Sequence, residues 1–334
     1  MRFNTILFNV VEKCDIRCRH CGYADSKRRG SISEPDLVDW TTQAVEYGIN
    51  QVTFSGGEVF TELDLLAAGV AAVRRAGGSS GVFTNGRWGE SESSARATLA
   101  RLEGLTHLHL SCDLYHLEWV PLQSLLNIIR VSREMAPQPR VIINVCYTSE
   151  QDKQEITDLF AEERDRIAFH YQKVIPSEFV QLRVRDAADH SKALSSLGFG
   201  ESCYLHTPTV HTTGHLWACH IGTIETHPYY DATSSPYFLG DLHKESLRSI
   251  FDRAEDRPVY QMLRVFGPRL VAEAAMSSAA GEELGEKRYT SDCDMCYQVL
   301  GRAEVQEEIC RRAAEPSTQS RLFLSRIFQL RDSV

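Results

Sequence analysis

Six short β-rich runs punctuate the first half of the chain: TILFNVV (5–11), QVTFS (51–55), GVFT (81–84), HLHLS (107–111), RVIINVCY (140–147) and IAFHYQ (167–172). Helical stretches fill the gaps between them, including LDLLAAGVAAVRRAG, SSARATLARLEG, LQSLLNIIRVSREM and KQEITDLFAEE. Strands joined through helices at this spacing must run parallel, because a short hairpin cannot connect them. The pattern therefore predicts an α/β fold, a curved sheet or partial (βα)6 barrel over residues 1–176. Chemistry in such a fold belongs at the carboxyl ends of the strands. In the first gap, Ser33 followed by Pro35 and Asp36 reads as a helix start, and Leu37, Val38, Trp40, Ala44 and Val45 follow on roughly one face.

After about residue 176 the rhythm changes. Residues 177–240 are rich in Thr, Ser, His, Tyr and Pro, GDLHKESLRSIFDRA reads as a turn and helix, and 276–287 reads as a surface loop. Residues 177–334 are thus expected to form a smaller, cysteine-rich C-terminal domain built on something other than a large hydrophobic core. The 334 residues carry a formal charge of −9, which argues against a nucleic-acid partner. No run of about 18 apolar residues appears, so no membrane span is expected. The opening MRFNTILFNVVEKC reads as a buried first strand rather than a signal peptide, and the compartment expected is the cytoplasm. Ten cysteines in such a compartment point to metal ligands or catalytic groups rather than a disulfide framework.

Three of them, Cys14, Cys18 and Cys21, fall within CDIRCRHC, just past the first strand. Three thiolates would fix three irons of a 4Fe–4S cluster and leave the fourth open. A zinc site completed by His20 or a distant residue is the alternative. The second strand ends in SGGE (55–58), where Gly56 and Gly57 let the backbone approach a ligand and Glu58 supplies a carboxylate.

These two motifs together resemble the radical S-adenosylmethionine superfamily, matching its CxxxCxxC motif and its GGE motif. The resemblance implies a partial six-unit barrel and a 4Fe–4S cluster on Cys14, Cys18 and Cys21, with S-adenosylmethionine on the open iron. It also implies that Gly56, Gly57 and Glu58 grip the amino group of that cofactor. Cleavage would yield a 5′-deoxyadenosyl radical that abstracts a hydrogen atom from substrate. Thr84-Asn85-Gly86 after strand three is similar to a turn common in the family. Ser111 and Asp113 after strand four, and Asn144 on strand five, sit where members contact the cofactor. One departure concerns the adenine: His20 stands before Cys21 in place of an aromatic, and Tyr23 follows as the candidate contact.

In the second half, Cys203, Cys219, Cys293 and Cys296 offer four thiolates, which suit either a closed 4Fe–4S cluster or zinc. Gly214 five residues before Cys219, with CDMC (293–296) after it, resembles the twitch domain, a shortened SPASM domain. That likeness implies a second, auxiliary 4Fe–4S cluster. Cys146 and Cys310 read as packed thiols. Cys112 reads as a core residue or, at the barrel mouth, a hydrogen-atom donor. His116 and Glu118 follow strand four and could reach substrate; Lys173, Glu178, Arg183 and Arg185 follow strand six. His206, His211, His215 and His220 are expected around the auxiliary cluster or facing solvent.

Three functions compete. The first is hydrogen-atom abstraction from a small polar metabolite (a sugar, aminocyclitol or nucleoside) in a natural-product pathway, the outcome being dehydrogenation, with the auxiliary cluster accepting an electron, or else epimerisation, decarboxylation or carbon–carbon coupling. Cys14 lies so near the start that no leader-peptide-binding domain is expected ahead of it. The second is modification of a ribosomally made peptide, by epimerisation or crosslinking. The third is a non-catalytic iron–sulfur or zinc protein, for which an open cluster beside GGE has no use. An electron donor such as flavodoxin or ferredoxin is the expected protein partner.

Overall fold

The computed structural model describes residues 3–21, 23, 30–174, 192–197, 207–219, 233–289 and 291–331. The six expected strands are β1 (Thr5–Val11), β2 (Gln51–Gly56), β3 (Ser79–Thr84), β4 (His107–Ser111), β5 (Arg140–Tyr147) and β6 (Ala168–Lys173). They pair in sequence order and in parallel throughout. Between them lie α1 (Glu34–Tyr47), α2 (Leu63–Arg75), α3 (Glu92–Leu99), α4 (Leu114–Leu117), α5 (Leu122–Ser132) and α6 (Glu150–Asp158). Ser33 caps α1 by accepting from the Asp36 N–H, and Gly48 closes it in the left-handed region. This is the partial (βα)6 barrel.

The period-two alternation of the strands separates two faces. Ile6, Phe8, Val10, Val52, Phe54, Val82, Leu108, Leu110, Val141, Ile143 and Val145 are buried on one of them. That face packs against the helices, as Phe54 does beside Gly69 of α2 and Leu37 of α1. The other face carries Asn9, Thr53, Ser55, His107, His109, Ser111 and Asn144 among Leu7, Val11, Phe83 and Ile142, and is mixed in character.

Three further strands extend the same sheet beyond β1. With β7 (Lys192–Ala193) lying elsewhere, these are β8 (Thr209–Val210), β9 (His215–Trp217) and β10 (Phe238–Asp241). β8 runs parallel to β1, while β9 and β10 turn back antiparallel. A short β11 (Arg288–Tyr289) pairs with β7. The expected boundary at 176–177 lies outside the described residues.

The rest of the C-terminal half is helical: α7 (Leu247–Glu255), α8 (Pro258–Phe266), α9 (Pro268–Ser277), α10 (Gly281–Glu286), α11 (Asp292–Val299), α12 (Ala303–Ala313) and α13 (Pro316–Arg331). Phe251 of α7 packs its ring on Phe3 and Tyr47, tying this half to the barrel. Three expectations are corrected here. The helices enclose a substantial apolar core, with Met262, Leu263, Val271, Ala275, Met295, Val299 and Ile309 all buried. The supposed loop 276–287 is the end of α9 followed by α10, whose Leu284 is fully buried. The small and acidic residues of that stretch hid a helix anchored by few side chains. Cys310, read as packed, is exposed on α12.

Gly69 exists because α2 sits directly on Phe54: a Cβ there would lie 2.9 Å from the Phe54 ring. Gly69→Val should destabilise the barrel by about 1–3 kcal/mol, the usual penalty for overpacking, read as a lower midpoint in urea denaturation.

Candidate functional site: the three-cysteine loop at the carboxyl end of the barrel

The cysteine segment, residues 12–21, springs from the end of β1, and the chain returns beside it at Gly30. Its base is closed by backbone: Glu12 N–H donates to Gly30 O and Ile32 N–H to Val10 O, both at 2.9 Å. A register shift between Asn9 and Val11 bends β1 just before the loop, a device that re-aims chain near functional sites. The Glu12 carboxylate also accepts from Gly30 N–H (3.2 Å) and lies 3.5 Å from His211 Nε2. His211, expected around the auxiliary cluster or facing solvent, is 1% exposed and holds the base of the cysteine loop to the β8–β9 turn.

Gly56 and Gly57 press directly on this loop. Gly57 N–H donates to Val11 O (2.7 Å) and Glu58 N–H to Lys13 O (2.8 Å). A Cβ on Gly57 would meet Lys13 O at 2.2 Å and Cys14 N at 2.9 Å, and one on Gly56 would meet Val11 O at 2.1 Å. Gly56 also has φ +143, a conformation that favours glycine. The close approach expected of these glycines is therefore made to the Cys14 backbone itself.

Glu58 is buried and fully engaged. Its Oε1 accepts from Phe60 N–H (3.1 Å) and Thr84 Oγ1–H (2.9 Å), and its Oε2 from Asn85 N–H (2.7 Å). Burial pushes its pKa up to about 7 despite those three donors. Asn85 then reaches the cysteine loop, donating from Nδ2 to Asp15 Oδ1 at 2.8 Å, and Arg87 donates to Asp15 O at 3.0 Å. Thus the turn after β3 braces both motifs, a role for Asp15 and Arg87 that sequence reading missed.

The opposite flank is held by the turn after β4. Asp113 is fully buried; its Oδ1 accepts from the N–H groups of Tyr115 and His116, and its Oδ2 lies 2.8 Å from His116 Nδ1. His20 Nε2 lies 3.8 Å from the same Oδ2, with its ring packed on Tyr115 at 4.7 Å. Burial would raise the Asp113 pKa, but the charge and hydrogen bond of His116 outweigh it and hold the carboxyl low. Burial pushes His20 down to about 4. Arg19 pairs with Glu118 across the same gap. Ligand atoms of His20, Asp113 and His116 lie within 4.8 Å of one another, but Asp113 uses both oxygens to cap α4 and hold His116. His20 thus lies beside the turn after β4.

The thiols themselves suit a polycation. Burial, then Glu58 and Cys21, push Cys14 up to about 12, and burial, then Cys21 and Asp113, push Cys18 up as well. Thiolates crowded by carboxylates repel one another, and iron relieves that repulsion while displacing the protons. The donor set fits a 4Fe–4S cluster.

Other expected residues fall as follows. Ser111 and Asn144 lie on the mixed face of the sheet in register with each other, and Tyr23 is partly buried beyond Cys21. Cys112 alternates to the helix side with Leu108 and Leu110, is wholly enclosed, and has its pKa pushed up by burial. It does not stand at the mouth, and packing is its observed role. Cys146, on the mixed side of β5, is partly buried. Cys203, Glu178, Arg183, Arg185, His206 and His220 lie outside the described residues.

In the C-terminal half, Cys293 and Cys296 stand three residues apart on α11 and so share a face. Tyr237 Oη lies 2.9 Å from Cys296 Sγ, and Cys219 adds to the forces that raise its pKa. Cys219 and Cys296 therefore converge on Tyr237.

A barrel with three thiols at the carboxyl ends of its strands, beside a diglycine turn, defines a cluster-binding domain. Residues 8–136 match the family model of the Radical SAM superfamily, and this part of the chain is a radical SAM domain. The chain is 25% identical over 158 residues to the putative peptide biosynthesis protein YydG of Bacillus subtilis, covering 46% of this chain and 49% of that one. It is also 25% identical over 174 residues to the GTP 3′,8-cyclase of Listeria welshimeri, covering 48% and 50%. It thus spans about half the length of the curated relatives it matches. Its fold is similar to that of anSMEcpe solved with S-adenosylmethionine and a Cp18Cys peptide (TM-score 0.54, 14% identity, 96% of this chain and 98% of that one). It is likewise similar to Streptococcus suis SuiB bound to S-adenosylmethionine (TM-score 0.53, 17% identity, 79% and 68%).

Gly57→Ala should push the Lys13–Cys14 backbone off its seat. Iron bound per chain after anaerobic reconstitution should fall well below wild type, whereas Gly285→Ala, whose Cβ would meet only the flexible Met276 side chain, should retain it.

Proposed function

We propose that this chain is a radical S-adenosylmethionine enzyme that oxidises a small polar metabolite such as a sugar, aminocyclitol or nucleoside. The observation that carries this reading is the Cys14–Cys18–Cys21 loop, clamped through Asp15 on one flank and His20 on the other. A 4Fe–4S cluster and S-adenosylmethionine bound there would supply the hydrogen-abstracting 5′-deoxyadenosyl radical. The chain's own part is to hold and orient. Gly56 and Gly57 fix the loop, Glu58 ties it to β3, and Ser111 and Tyr23 are the proposed cofactor contacts.

Oxidation of a carbinol to a ketone removes one hydrogen atom, one proton and one electron. His116, oriented by Asp113, is the residue proposed to take the proton. Cys203, Cys219, Cys293 and Cys296 are proposed to hold an auxiliary 4Fe–4S cluster that takes the electron; the convergence of Cys219 and Cys296 on Tyr237 supports this. The reductant that starts the cycle would be a flavodoxin or ferredoxin in the cytoplasm. Among the described residues no helix is long and apolar enough to cross a membrane.

Several of the similar proteins favour a second reading, peptide modification. One is named a peptide biosynthesis protein, and anSMEcpe and SuiB were each solved with a peptide.

Iron content separates the cluster readings. Wild type should bind about eight irons per chain, falling to about four when Cys14, Cys18 and Cys21 are all changed to alanine. A fall from about four to none would remove the auxiliary cluster and the oxidation built on it. Consumption of S-adenosylmethionine stimulated by a peptide, and by no sugar, cyclitol or nucleoside, would replace the metabolite reading with the peptide one.

A further inference from the structure

The inner face of the barrel carries buried polar atoms that the protein leaves unsatisfied. Among the described residues, both ring nitrogens of His109 and both amide atoms of Asn144 are buried without a hydrogen-bond partner. The two residues belong to adjacent strands. Asn144 of β5 is in register with Ser111 of β4 and with His170 of β6, so Ser111, Asn144 and His170 form a polar row across three strands. His109 lies one inward position below that row, stacked on Phe83 with ring centroids 4.4 Å apart. A mutual bond would satisfy one atom of His109 and one of Asn144 and leave the other two wanting.

Unpaired buried polar groups are rare in folded proteins and costly to keep. Two in contact, beneath the carboxyl ends of the strands that carry the proposed cofactor contacts, indicate a ligand's place. The chemistry of the pair selects its partner. Burial holds His109 low, at about 4, so the ring is neutral at pH 7 and offers one donor and one acceptor. Asn144 offers donors and an acceptor and no charge. Among the described residues, Arg140 is in register with His107, two residues before His109, and Lys173 with Tyr147, three residues beyond Asn144. The pair itself carries no charge to hold a carboxylate or phosphate, whereas a hydroxyl, which both donates and accepts, suits it.

We propose that His109 and Asn144 form a substrate-binding floor that holds adjacent hydroxyl groups of a neutral polyol. This rests on the small-metabolite reading above and narrows it to an uncharged, hydroxyl-bearing face.

The test uses the full chain, reconstituted with iron and saturated with S-adenosylmethionine, and the variants His109→Phe and Asn144→Leu. Phenylalanine keeps the stacking on Phe83, and leucine is close to asparagine in shape. Equilibrium dialysis with labelled myo-inositol and D-glucose should show retention of at least one by wild type and about tenfold weaker retention by each variant. Each variant should also melt higher than wild type, by roughly 2 °C, because it removes unsatisfied buried polar atoms. A merely structural role would lower the melting point instead. The proposal is overturned if neither polyol is retained, if the variants retain them equally, or if both variants melt lower. Retention of an uncharged peptide, acetyl-Gly-Asn-Gly-amide, in place of the polyols also overturns it, in favour of the peptide reading. Iron content and reductive cleavage of S-adenosylmethionine are read on the same wild-type sample. Their loss would defeat the radical reading, whereas intact cleavage with binding indifferent to His109 and Asn144 would defeat only the polyol floor.

Discussion

Everything at the mouth of this barrel depends on one close approach of backbone to backbone. The end of β2 lies against residues 11–14 so tightly that no side chain fits between, and two hydrogen bonds, from Gly57 to Val11 and from Glu58 to Lys13, lock the contact. That seat fixes where Cys14 begins its turn. Around it the chain adds braces of a different kind: Glu58, Asn85, Asp15 and Arg87 on the β3 side, and Asp113, His116, His20 and Arg19 on the β4 side. Most of these braces are partly or wholly buried, where a hydrogen bond to a charged group is worth about 1.5–3 kcal/mol. The segment 12–21, which forms neither helix nor strand, owes its shape to such contacts rather than to local propensity.

The two faces of the sheet divide the work. The helix-facing side is a continuous apolar layer and supplies stability by burial. The inner side gives some of that up, leaving His109 and Asn144 without partners and lining β4 to β6 with polar groups. Proteins commonly trade stability for function in this way. The extension of the sheet by β8 to β10 serves the same end. It brings His211 beneath Glu12, so the C-terminal half helps to hold the cysteine loop.

Much of the architecture was legible because it is written in short-range pattern. The strands alternate with period two or run apolar, Ser33 with Pro35 and Asp36 announces a helix, and the CDIRCRHC and SGGE stretches stand at strand ends. What was not legible has physical reasons. The helices near residues 268–286 are rich in Ala, Ser, Gly and Glu, so their apolar stripe is thin and reads as loop. Cys310 sits among charged residues on α12, and its exposed side follows from which face meets α9, a fact outside its own neighbourhood. Cys112 is adjacent in sequence to Ser111 and Asp113, yet one step along a strand turns a side chain to the opposite face. The pairing of His211 with Glu12 joins residues about two hundred positions apart and leaves no local trace.

The sequence by itself determined the parallel βα order, the placement of three thiols just past the first strand, and the diglycine turn that must lie close to something. These follow from periodicity, residue type and spacing, which need no knowledge of distant contacts. Only the tertiary structure decided what the glycines touch, which carboxylates are already engaged, and which polar atoms are left over. Those outcomes depend on register between strands and on packing of elements far apart in the chain. Glu58 shows the difference: its motif marks it as functional, but three donors, including Thr84 and Asn85 from the next strand, make it the tie that holds the site together.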